Sequence, residues 1–483
     1  MAEPSLKNTT VKGVGWSFTD SLLNQGITFL VGIVLARLLT PEEYGLLGIL
    51  MIFIVVSDSI VNSGLSSALI RKNDASEKDY NTVFLTNLLL SFVMYGVLFL
   101  CAPLISRFFE QALLTPLLRV LGGVVVFNAL SLVPYTKLTK KVDFKTITYC
   151  SFAGSVVSGI VGIGMALSSF GVWALVGQQI SRSMVYAVAL LIANKHLPKL
   201  QFCIESFKEL WNFGWKLLVS GLINTVWDEL YKFVIGKCYS PATLGQYTQA
   251  YTYSSIFSRN MSTIVQRVSY PVLSKLQDEK TRMKEAYRRV IKTTMLVTFV
   301  LMFGLAGCAK QFIYVIIGEQ WLPCVGYLQI LCFSMALYPL HALNLNMLQV
   351  QGRSDLFLKL EIIKKCIGAV PILLGIFIDI YWMLGGSVIV GWIAYYLNAY
   401  YSGPYLNYSI GAQIRDILPS MCLALGMAII VWLAGLLPIT PYVLLPIQIL
   451  IGAAIVFCVC EWKRIDEYME LKQIVLGLLR KNN

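Results

Sequence analysis

Long apolar runs separated by short polar segments extend over the whole chain. Each run holds about 20 residues or more, the length at which a helix crosses the hydrocarbon core of a bilayer. The pattern predicts helices over 14–38, 43–69, 81–106, 113–134, 147–169, 171–194, 209–236, 243–270, 287–309, 322–349, 357–379, 382–402, 414–437 and 440–461. Backbone groups in lipid need hydrogen-bond partners within their own segment, so we predict an all-α integral membrane protein with about fourteen transmembrane helices.

Composition and charge agree with a membrane protein. Of the 483 residues, 13% are charged, and the mean hydropathy is +0.68, whereas a soluble domain has about 25% charged residues. If the N-terminus is cytoplasmic, about 30 of the 39 Lys and Arg residues lie on the cytoplasmic side, which is the positive-inside bias. That bias accounts for the net charge of +13 without a nucleic-acid partner and predicts two cytoplasmic termini. The polar first residues lack the apolar core of a signal peptide, so we expect the first helix to stay in the mature protein.

A short phrase occurs twice, as RLLTPEEYG at 37–45 and as KCYSPATLG at 237–245. Further matches keep the same order, because KKVDF at 140–144 corresponds to GRSDL at 352–356. We therefore predict a duplicated six-helix unit, with an N-lobe at 1–200 and a C-lobe at 201–408, followed by two extra helices and a cytoplasmic tail at 409–483. An even number of helices per unit gives a parallel repeat related by an axis along the membrane normal.

The repeated phrase is also a helix start. Thr40 is predicted as N-cap, Pro41 as the first helical residue and Glu43 as the partner in a capping box. Ser240 and Pro241 repeat the cap. We interpret both phrases as tight external turns, with a second role as a gate hinge left open.

Polar residues recur at helical spacing inside several predicted membrane helices, where they are costly and usually face a cavity or each other. These stripes lie on the first helix at Ser17, Asp20, Asn24 and Thr28, on the second at Asp58 and Asn62, on the seventh at Lys216, Ser220, Asn224, Asp228 and Lys232, and on the eighth at Gln249, Thr252, Ser255, Arg259, Ser262 and Gln266. Because the first and seventh helices, and the second and eighth, are repeat partners, we predict two lobes that face each other across a water-filled cleft.

Fixed cations at membrane depth suit an anionic head group such as phosphate or pyrophosphate, which Arg binds in a fork geometry. The predicted substrate-binding residues are Arg259, Lys216, Asn224, Asn24, Gln249 and Lys232, and the predicted ion-coupling residues are Asp20, Asp58 and Asp228.

Structural explanations stay open for several of these charges. Arg259 could form an ion pair with Asp20 or Asp58, Asp228 could pair with Lys232 along the helix, and Lys216 could extend toward the membrane surface. Arg119 and Arg182 are weaker candidates.

Other classes of protein find little support in the sequence. No predicted loop can hold a soluble catalytic domain, and the chain contains neither a G-x-x-x-x-G-K-[ST] loop nor a Ser/His/Asp arrangement. The eleven cysteines and two histidines form no ligand cluster, so neither a metal nor a cofactor is expected. A secondary transporter is favoured over a pump or a membrane enzyme.

Several ordered stretches resemble the polysaccharide transporter family. They are GVGWSFTDSLLNQGITFLVGIVLARLLTPEEYGLLG at 13–48, VPYTKLTKKVDFKTI at 133–147, GEQW at 318–321, LQIL at 328–331 and LQVQGRSDLFLKL at 348–360. This family belongs to the multidrug/oligosaccharidyl-lipid/polysaccharide (MOP) flippase superfamily, which includes Wzx-type O-unit flippases, lipid II flippases and multidrug extruders. The resemblance implies two six-helix lobes in a V, as in the MATE (multidrug extruder) branch.

The resemblance further implies a flippase that moves an undecaprenyl-pyrophosphate-linked oligosaccharide across the bacterial inner membrane by alternating access. Coupling would be to an H⁺ or Na⁺ gradient or to the membrane potential, and the protein would act as a monomer among membrane lipids, alone or beside glycan polymerase machinery. A cation-coupled multidrug or metabolite antiporter is the alternative that the acidic residues keep open. A membrane-embedded polymerase or ligase and a non-transporting assembly scaffold are the remaining alternatives.

Overall fold

The computed structural model describes residues 6–62, 64–194, 199–276, 279–351, 353–470 and 472–473. Between Leu6 and Trp462 the described residues form eighteen α-helices and two short 3₁₀ turns, with no β-strand. They group into two compact units, one ending at Gly245 and the other starting at Gln246. The predicted repeat boundary at 200 concerns a duplication of sequence and not a compact unit, so it stays a prediction.

The helices of the first unit, which also contains the first turn of the following helix α10, are α1 (Leu6–Leu38), α2 (Pro41–Asn62), α3 (Leu65–Arg71), α4 (Glu77–Phe108), α5 (Leu114–Leu121), α6 (Gly123–Lys140), α7 (Phe144–Leu167), α8 (Val172–Ala193) and α9 (Ile204–Cys238). The second unit contains the rest of α10 (Pro241–Lys275) and α11 (Lys280–Gly307), α12 (Ala309–Ile316), α13 (Cys324–Ala336), α14 (Tyr338–Val350), α15 (Ser354–Phe377), α16 (Ile380–Ser402), α17 (Ile410–Ala434) and α18 (Pro441–Trp462). The 3₁₀ turns are Glu319–Trp321 and Pro404–Leu406.

Every predicted helix coincides with observed helical structure, but ten helices of the described chain are long and apolar enough to cross a membrane. Of the four others, α9, α10 and α15 carry charged or polar residues that lower their hydropathy, and α1 has a shorter apolar stretch, Leu23–Leu38, within the described residues. Polar stripes were predicted on α1, α9 and α10. Three predicted helices are each interrupted, so that 43–69 becomes α2 and α3, 113–134 becomes α5 and α6, and 322–349 becomes α13 and α14. The count of fourteen membrane spans therefore stays a prediction.

The helix caps follow the prediction. The Thr40 backbone N–H donates to Glu43 Oε2 at 2.7 Å, and the Glu43 N–H donates to Thr40 Oγ1 at 3.4 Å, which confirms the capping box at the start of α2. At the start of α10, the Thr243 N–H donates to Ser240 Oγ at 3.2 Å. Both caps satisfy backbone donors that a helix N-terminus leaves without partners.

The two repeated phrases contact each other inside the first unit. A Cβ added to Gly45 would lie 1.7 Å from the Pro241 carbonyl oxygen, and a Cβ added to Gly245 would lie 1.8 Å from the Pro41 carbonyl oxygen. Each glycine therefore admits the backbone at the proline of the other copy. The phrases are more than landmarks of a duplication, because they form a reciprocal backbone contact that tolerates only glycine.

The packing of the first unit explains why α9 belongs to it. Buried side chains of α3, α4, α6 and α9 form one cluster, which includes Leu65, Leu69, Tyr80, Val83, Val133 and Leu210. Gly64 has φ +67°, is the N-cap of α3 and approaches the Gly214 carbonyl so closely that an added Cβ would lie 2.3 Å from it. Arg71 lies over the Phe213 ring at 4.4 Å. These contacts hold the first half of α9 against α3 and α4.

In the second unit, the two extra helices are tied to α11 and α12. Met427 and Val431 of α17 and Leu445 of α18 pack around Cys308 in a buried cluster. Arg288 of α11 donates to both carboxylate oxygens of Asp416 at 2.5 and 2.6 Å, and Tyr408 Oη donates to the same carboxylate at 2.7 Å. The pair α17 and α18 is thus an integral part of this unit.

Candidate functional site

A polar cavity of about 300 Å³ lies inside the first unit, between α2, α6, α7 and α8. Its polar lining consists of Asp58, Asn128, Ser151, Gln179, Arg182, Ser183 and Tyr186. Asn128 Nδ2 donates to Asp58 Oδ2 at 2.7 Å and so holds the carboxylate in place. A carboxylate and a guanidinium that line one cavity within membrane helices are rare and mark ion pathways or binding sites.

Asp20 and Asn24 lie in a second polar network, between α1 and α7. Asn24 Nδ2 donates to Asp20 Oδ1 at 2.7 Å and to Ser151 Oγ at 2.8 Å, and Ser151 Oγ donates to Asp20 Oδ1 at 2.5 Å. Ser155 Oγ donates to Asn24 Oδ1 at 2.8 Å. Because Ser151 also lines the cavity of Asp58, one hydroxyl connects the two carboxylate sites.

The polar stripe of α9 is open. Lys216, Ser220, Asn224 and Asp228 are all exposed, although they lie in a helix of a membrane protein. Lys232 is half-buried, and its Nζ pairs with Glu229 Oε2 at 2.8 Å. Exposed polar groups cannot face lipid at low cost, so this side of α9 is suited to contact with water.

In the second unit, Arg259 of α10 lies among tyrosines. Its guanidinium donates to Tyr251 Oη and lies 5.5 Å from the centre of that ring and 5.9 Å from the centre of the Tyr338 ring. Cation–π contacts and the tyrosine hydroxyl hold the guanidinium in position. Arg259 is exposed, whereas Gln249, ten residues earlier on the same helix, is buried.

The structure thus joins Asp20 to Asn24 and connects both to the cavity of Asp58. Sequence reasoning missed Asn128, Ser151, Ser155, Gln179, Ser183 and Tyr186, and gave Arg182 too little weight. The spacing of Gln179, Arg182, Ser183 and Tyr186 on α8 was a visible signal, since it places polar groups on one helix face. The pairing of Asp58 with Asn128 had none, because those residues lie 70 positions apart.

A family model described as polysaccharide biosynthesis protein matches residues 34–326. The chain belongs to this family. It is 25% identical over 73% of its length to the teichuronic acid biosynthesis protein TuaB of Bacillus subtilis, covering 74% of that protein. It is 24% identical over 66% of its length to the succinoglycan biosynthesis transport protein ExoT of Rhizobium meliloti, covering 65%, and 22% identical over 77% to the lipopolysaccharide biosynthesis protein WzxC of Escherichia coli, covering 76%.

Solved structures give the same fold. The lipid II flippase MurJ in an inward closed conformation matches with a TM-score of 0.74 at 16% identity, over 94% of this chain and 99% of that one. An inward-facing MATE family transporter of the MOP superfamily matches with a TM-score of 0.63 at 16% identity, over 80% of this chain and 94% of that one. The predicted all-α membrane fold of this superfamily is confirmed. This chain is a multi-pass inner-membrane protein. The transporters among its relatives support the predicted class, a transporter rather than an enzyme.

Proposed function

We propose that this family member moves a lipid-linked oligosaccharide, the precursor of a cell-surface polysaccharide, across the inner membrane. The carrier in this proposal is undecaprenyl pyrophosphate, both termini are cytoplasmic, and transport proceeds by alternating access. The observation that carries the proposal is the exposed polar face of membrane helices, with Asn224 and Asp228 on α9 and Arg259 on α10. Such faces require water or a polar solute during some part of the cycle.

Arg259 is the proposed contact for the pyrophosphate. Its fork of N–H donors fits a phosphate in two-point geometry, and the two neighbouring tyrosines supply aromatic faces and hydroxyls for the adjoining sugar. Lys216, Asn224, Lys232, Asn24 and Gln249 are proposed as secondary contacts. Among them, Lys232 is held by Glu229, which is 9% exposed, so it would exchange an existing partner for the substrate.

The test is transport of a purified lipid-linked oligosaccharide in proteoliposomes, measured as protection of the glycan from an external glycosidase. We expect Arg259→Ala to slow transport by about tenfold or more, since it removes a charge-assisted hydrogen bond. Arg259→Lys should recover part of the rate, because it keeps the charge without the fork. Arg415→Ala on α17 is the control, since it removes another exposed arginine. Absence of transport by the unaltered protein under every imposed gradient would refute the proposal.

We propose further that Asp58 and Asp20 couple transport to an H⁺ or Na⁺ gradient, with Asp228 as a third candidate. A carboxylate that lines an intramembrane cavity can take up a cation and release it when the surrounding helices rearrange. Asp58→Asn should leave the protein folded but make the transport rate independent of an imposed pH or Na⁺ gradient. Asp74→Asn, in an exposed loop, is the matched control. An unchanged response of Asp58→Asn to both gradients would exclude Asp58 from coupling.

The second candidate function is a cation-coupled multidrug or metabolite antiporter. The specific observation in its favour is the acidic residue of the first-unit cavity, because a carboxylate attracts cationic solutes. Efflux of a fluorescent cationic drug from proteoliposomes distinguishes the two functions. Drug efflux without protection of the glycan would favour the antiporter, and the converse would favour the flippase.

A further inference from the structure

A cavity of about 1000 Å³ that the proposed function does not use lies in the second unit. It is open on one side and is lined by the start of α15, the end of α16, the turn Pro404–Leu406 and the start of α17. Its lining combines Arg353, Asn407 and Ser409 with Tyr396, Tyr400, Tyr401 and Tyr408. This volume is at the upper end of the range of about 300–1,000 Å³ that holds small ligands in proteins.

One wall is aromatic. The rings of Tyr396 and Tyr400 are stacked with centres 6.3 Å apart, and the ring of Tyr401 meets that of Tyr400 edge-on at 5.1 Å. Tyr396 and Tyr400 remain 54% and 55% exposed, so their faces and hydroxyls are open to a ligand. Aromatic faces with hydroxyls suit the glycerol or sugar part of a head group, which presents both C–H and O–H groups.

The charged component is Arg353. Its Nε lies 3.4 Å from Asp355 Oδ1, and both side chains are more than half exposed. An ion pair with this exposure contributes little stability, so the guanidinium can exchange the carboxylate for a better anion. Lys284 Nζ donates to the Asn407 carbonyl at 2.7 Å and brings a further positive charge to the rim. A phosphate matches the fork of Arg353 better than a single carboxylate at that distance.

The first unit has a cavity at the corresponding place of the predicted repeat, and the two cavities differ in how their basic residues are used. Lys141 and Asp143 in KKVDF correspond to Arg353 and Asp355 in GRSDL, and both line or adjoin these cavities. The first cavity, about 530 Å³, is also lined by Lys137, which pairs with Glu77 at 2.9 Å, and Lys140, which donates to backbone carbonyls. Its lysines therefore hold the fold together. The second cavity is larger and aromatic, and α17, an extra helix outside the repeat, supplies one wall.

An apolar surface continues from the aromatic wall along α16. Trp392 and Ile389 lie four and seven residues before Tyr396, hence on the same helix face, and they are 39% and 63% exposed. A ligand with its head group in the cavity could therefore place an acyl or prenyl chain on this face without exposing the chain to water. A soluble anion would make no use of that surface.

We infer that this cavity binds an anionic phosphate-bearing lipid, with the phosphate on Arg353, the polar head group on the tyrosine wall and the chain along α16. Two sources offer this chemistry: a phospholipid of the bilayer and the pyrophosphate-linked lipid of the proposed function. The inference does not require the chain to transport either of them.

The test measures lipid binding to the purified full-length protein by native mass spectrometry, with phosphatidylglycerol as probe and diacylglycerol as its uncharged counterpart. Arg353→Gln should weaken phosphatidylglycerol binding by about tenfold or more, since it removes a charged hydrogen bond. Asp355→Asn should strengthen binding, because it removes the competing carboxylate. Lys359→Gln, an exposed cation on the same helix, is the control and should change nothing.

Competition then identifies the source. Displacement of phosphatidylglycerol by a polyprenyl-pyrophosphate-linked sugar assigns the site to the transport substrate, and lack of displacement assigns it to a bilayer lipid; both results support a lipid site. Binding of inorganic pyrophosphate as strong as that of the lipid would overturn the assignment to a lipid. Equal binding of phosphatidylglycerol and diacylglycerol, or unchanged binding by a folded Arg353→Gln variant, would overturn the role of the phosphate. Thermal unfolding of each variant verifies folding, and proteoliposome transport is scored separately, so the site and the proposed function can fail independently.

Discussion

The reciprocal contact between the two repeated phrases makes a sharp prediction for Gly45→Ala. The new methyl group would start 1.7 Å from the Pro241 carbonyl oxygen, whereas real Cβ atoms do not approach closer than 3.0 Å, so the backbones must separate by at least 1.3 Å. The obstacle is a main-chain carbonyl at the start of α10 and cannot rotate away as a side chain would. Overpacking costs roughly 1–3 kcal/mol, and this rigid geometry places the cost of Gly45→Ala at about 3 kcal/mol before any gain from helix propensity.

The matched control is Gly96→Ala in α4, where an added Cβ meets nothing within 4 Å. It should be neutral or stabilising by about 0.5–1 kcal/mol, the usual advantage of Ala over Gly inside a helix. Since Gly45→Ala gains the same amount, we expect a net destabilisation of about 2 kcal/mol. The measurement is the free energy of unfolding in detergent, from denaturant titration of both variants and the unaltered protein.

The double variant Gly45→Ala/Gly245→Ala tests whether the two contacts are energetically coupled. A Cβ on Gly245 would meet the Pro41 carbonyl at 1.8 Å, so either methyl group separates the same two helix starts. Once they are separated, the second methyl costs little, and the double variant should be less destabilised than the sum by at least about 1 kcal/mol. Additive effects would refute the reciprocal contact, and so would a Gly45→Ala variant as stable as Gly96→Ala.

Three further predictions concern ion pairs. Lys72→Gln should lower the free energy of unfolding by about 2 kcal/mol, because it leaves the Asp79 carboxylate, which is 2% exposed, without its cation. Glu209→Gln changes the other partner of Lys72, which is 62% exposed, and should cost under about 1 kcal/mol in the same assay. Hydrogen bonding to Glu209, with a smaller contribution from Asp79, raises the pKa of Lys72. The stabilisation from Lys72 should therefore be complete below the unfolded pKa of about 10.4 and be lost as pH rises through the higher pKa of the folded state. Above that pH, the unaltered protein and Lys72→Gln should have the same free energy of unfolding. Asp416→Ala should destabilise the second unit by about 2 kcal/mol, because it removes the bidentate pair with Arg288. An unchanged free energy of unfolding in this variant would show that the pair contributes nothing to stability.

The apolar pattern was sufficient to place the helices, because their lengths and ends are set by local chemistry. The predicted range 382–402 differs by two residues from Ile380–Ser402, and the caps at Thr40 and Ser240 were readable from four consecutive residues. The interruptions were not readable in the same way. The break at Gly64 depends on φ +67° and on a close approach to Gly214, 150 positions away, neither of which disturbs the hydrophobic run.

The candidate site residues show the same contrast between features set within one helix and features set by tertiary packing. Stripes on one helix, such as that of α9, follow from spacing alone, so the sequence predicted them. Partners on different helices depend on tertiary packing: Asp58 meets Asn128, Asn24 meets Ser155, and Arg259 meets Tyr338. The ion pair of Arg259 with Asp20 or Asp58 stays a prediction. The contacts described for its side chain are with Tyr251 and Tyr338, and the hydropathy pattern does not distinguish such tyrosines from an interfacial belt.

The low hydropathy of α9, α10 and α15 has a consequence for biogenesis. During membrane integration, each nascent segment partitions into lipid according to its own hydropathy, and charged residues near the centre of a segment oppose that step by about 2.5–3.5 kcal/mol each on the insertion scale. Helices α9 and α10 are consecutive, so the stretch from Ile204 to Lys275 contains two weakly inserting segments in succession. Its insertion therefore depends on apolar neighbours such as α4 and α11, already synthesised in one case and still to come in the other. Quality-control proteases would meet these two segments first in any variant whose assembly is delayed.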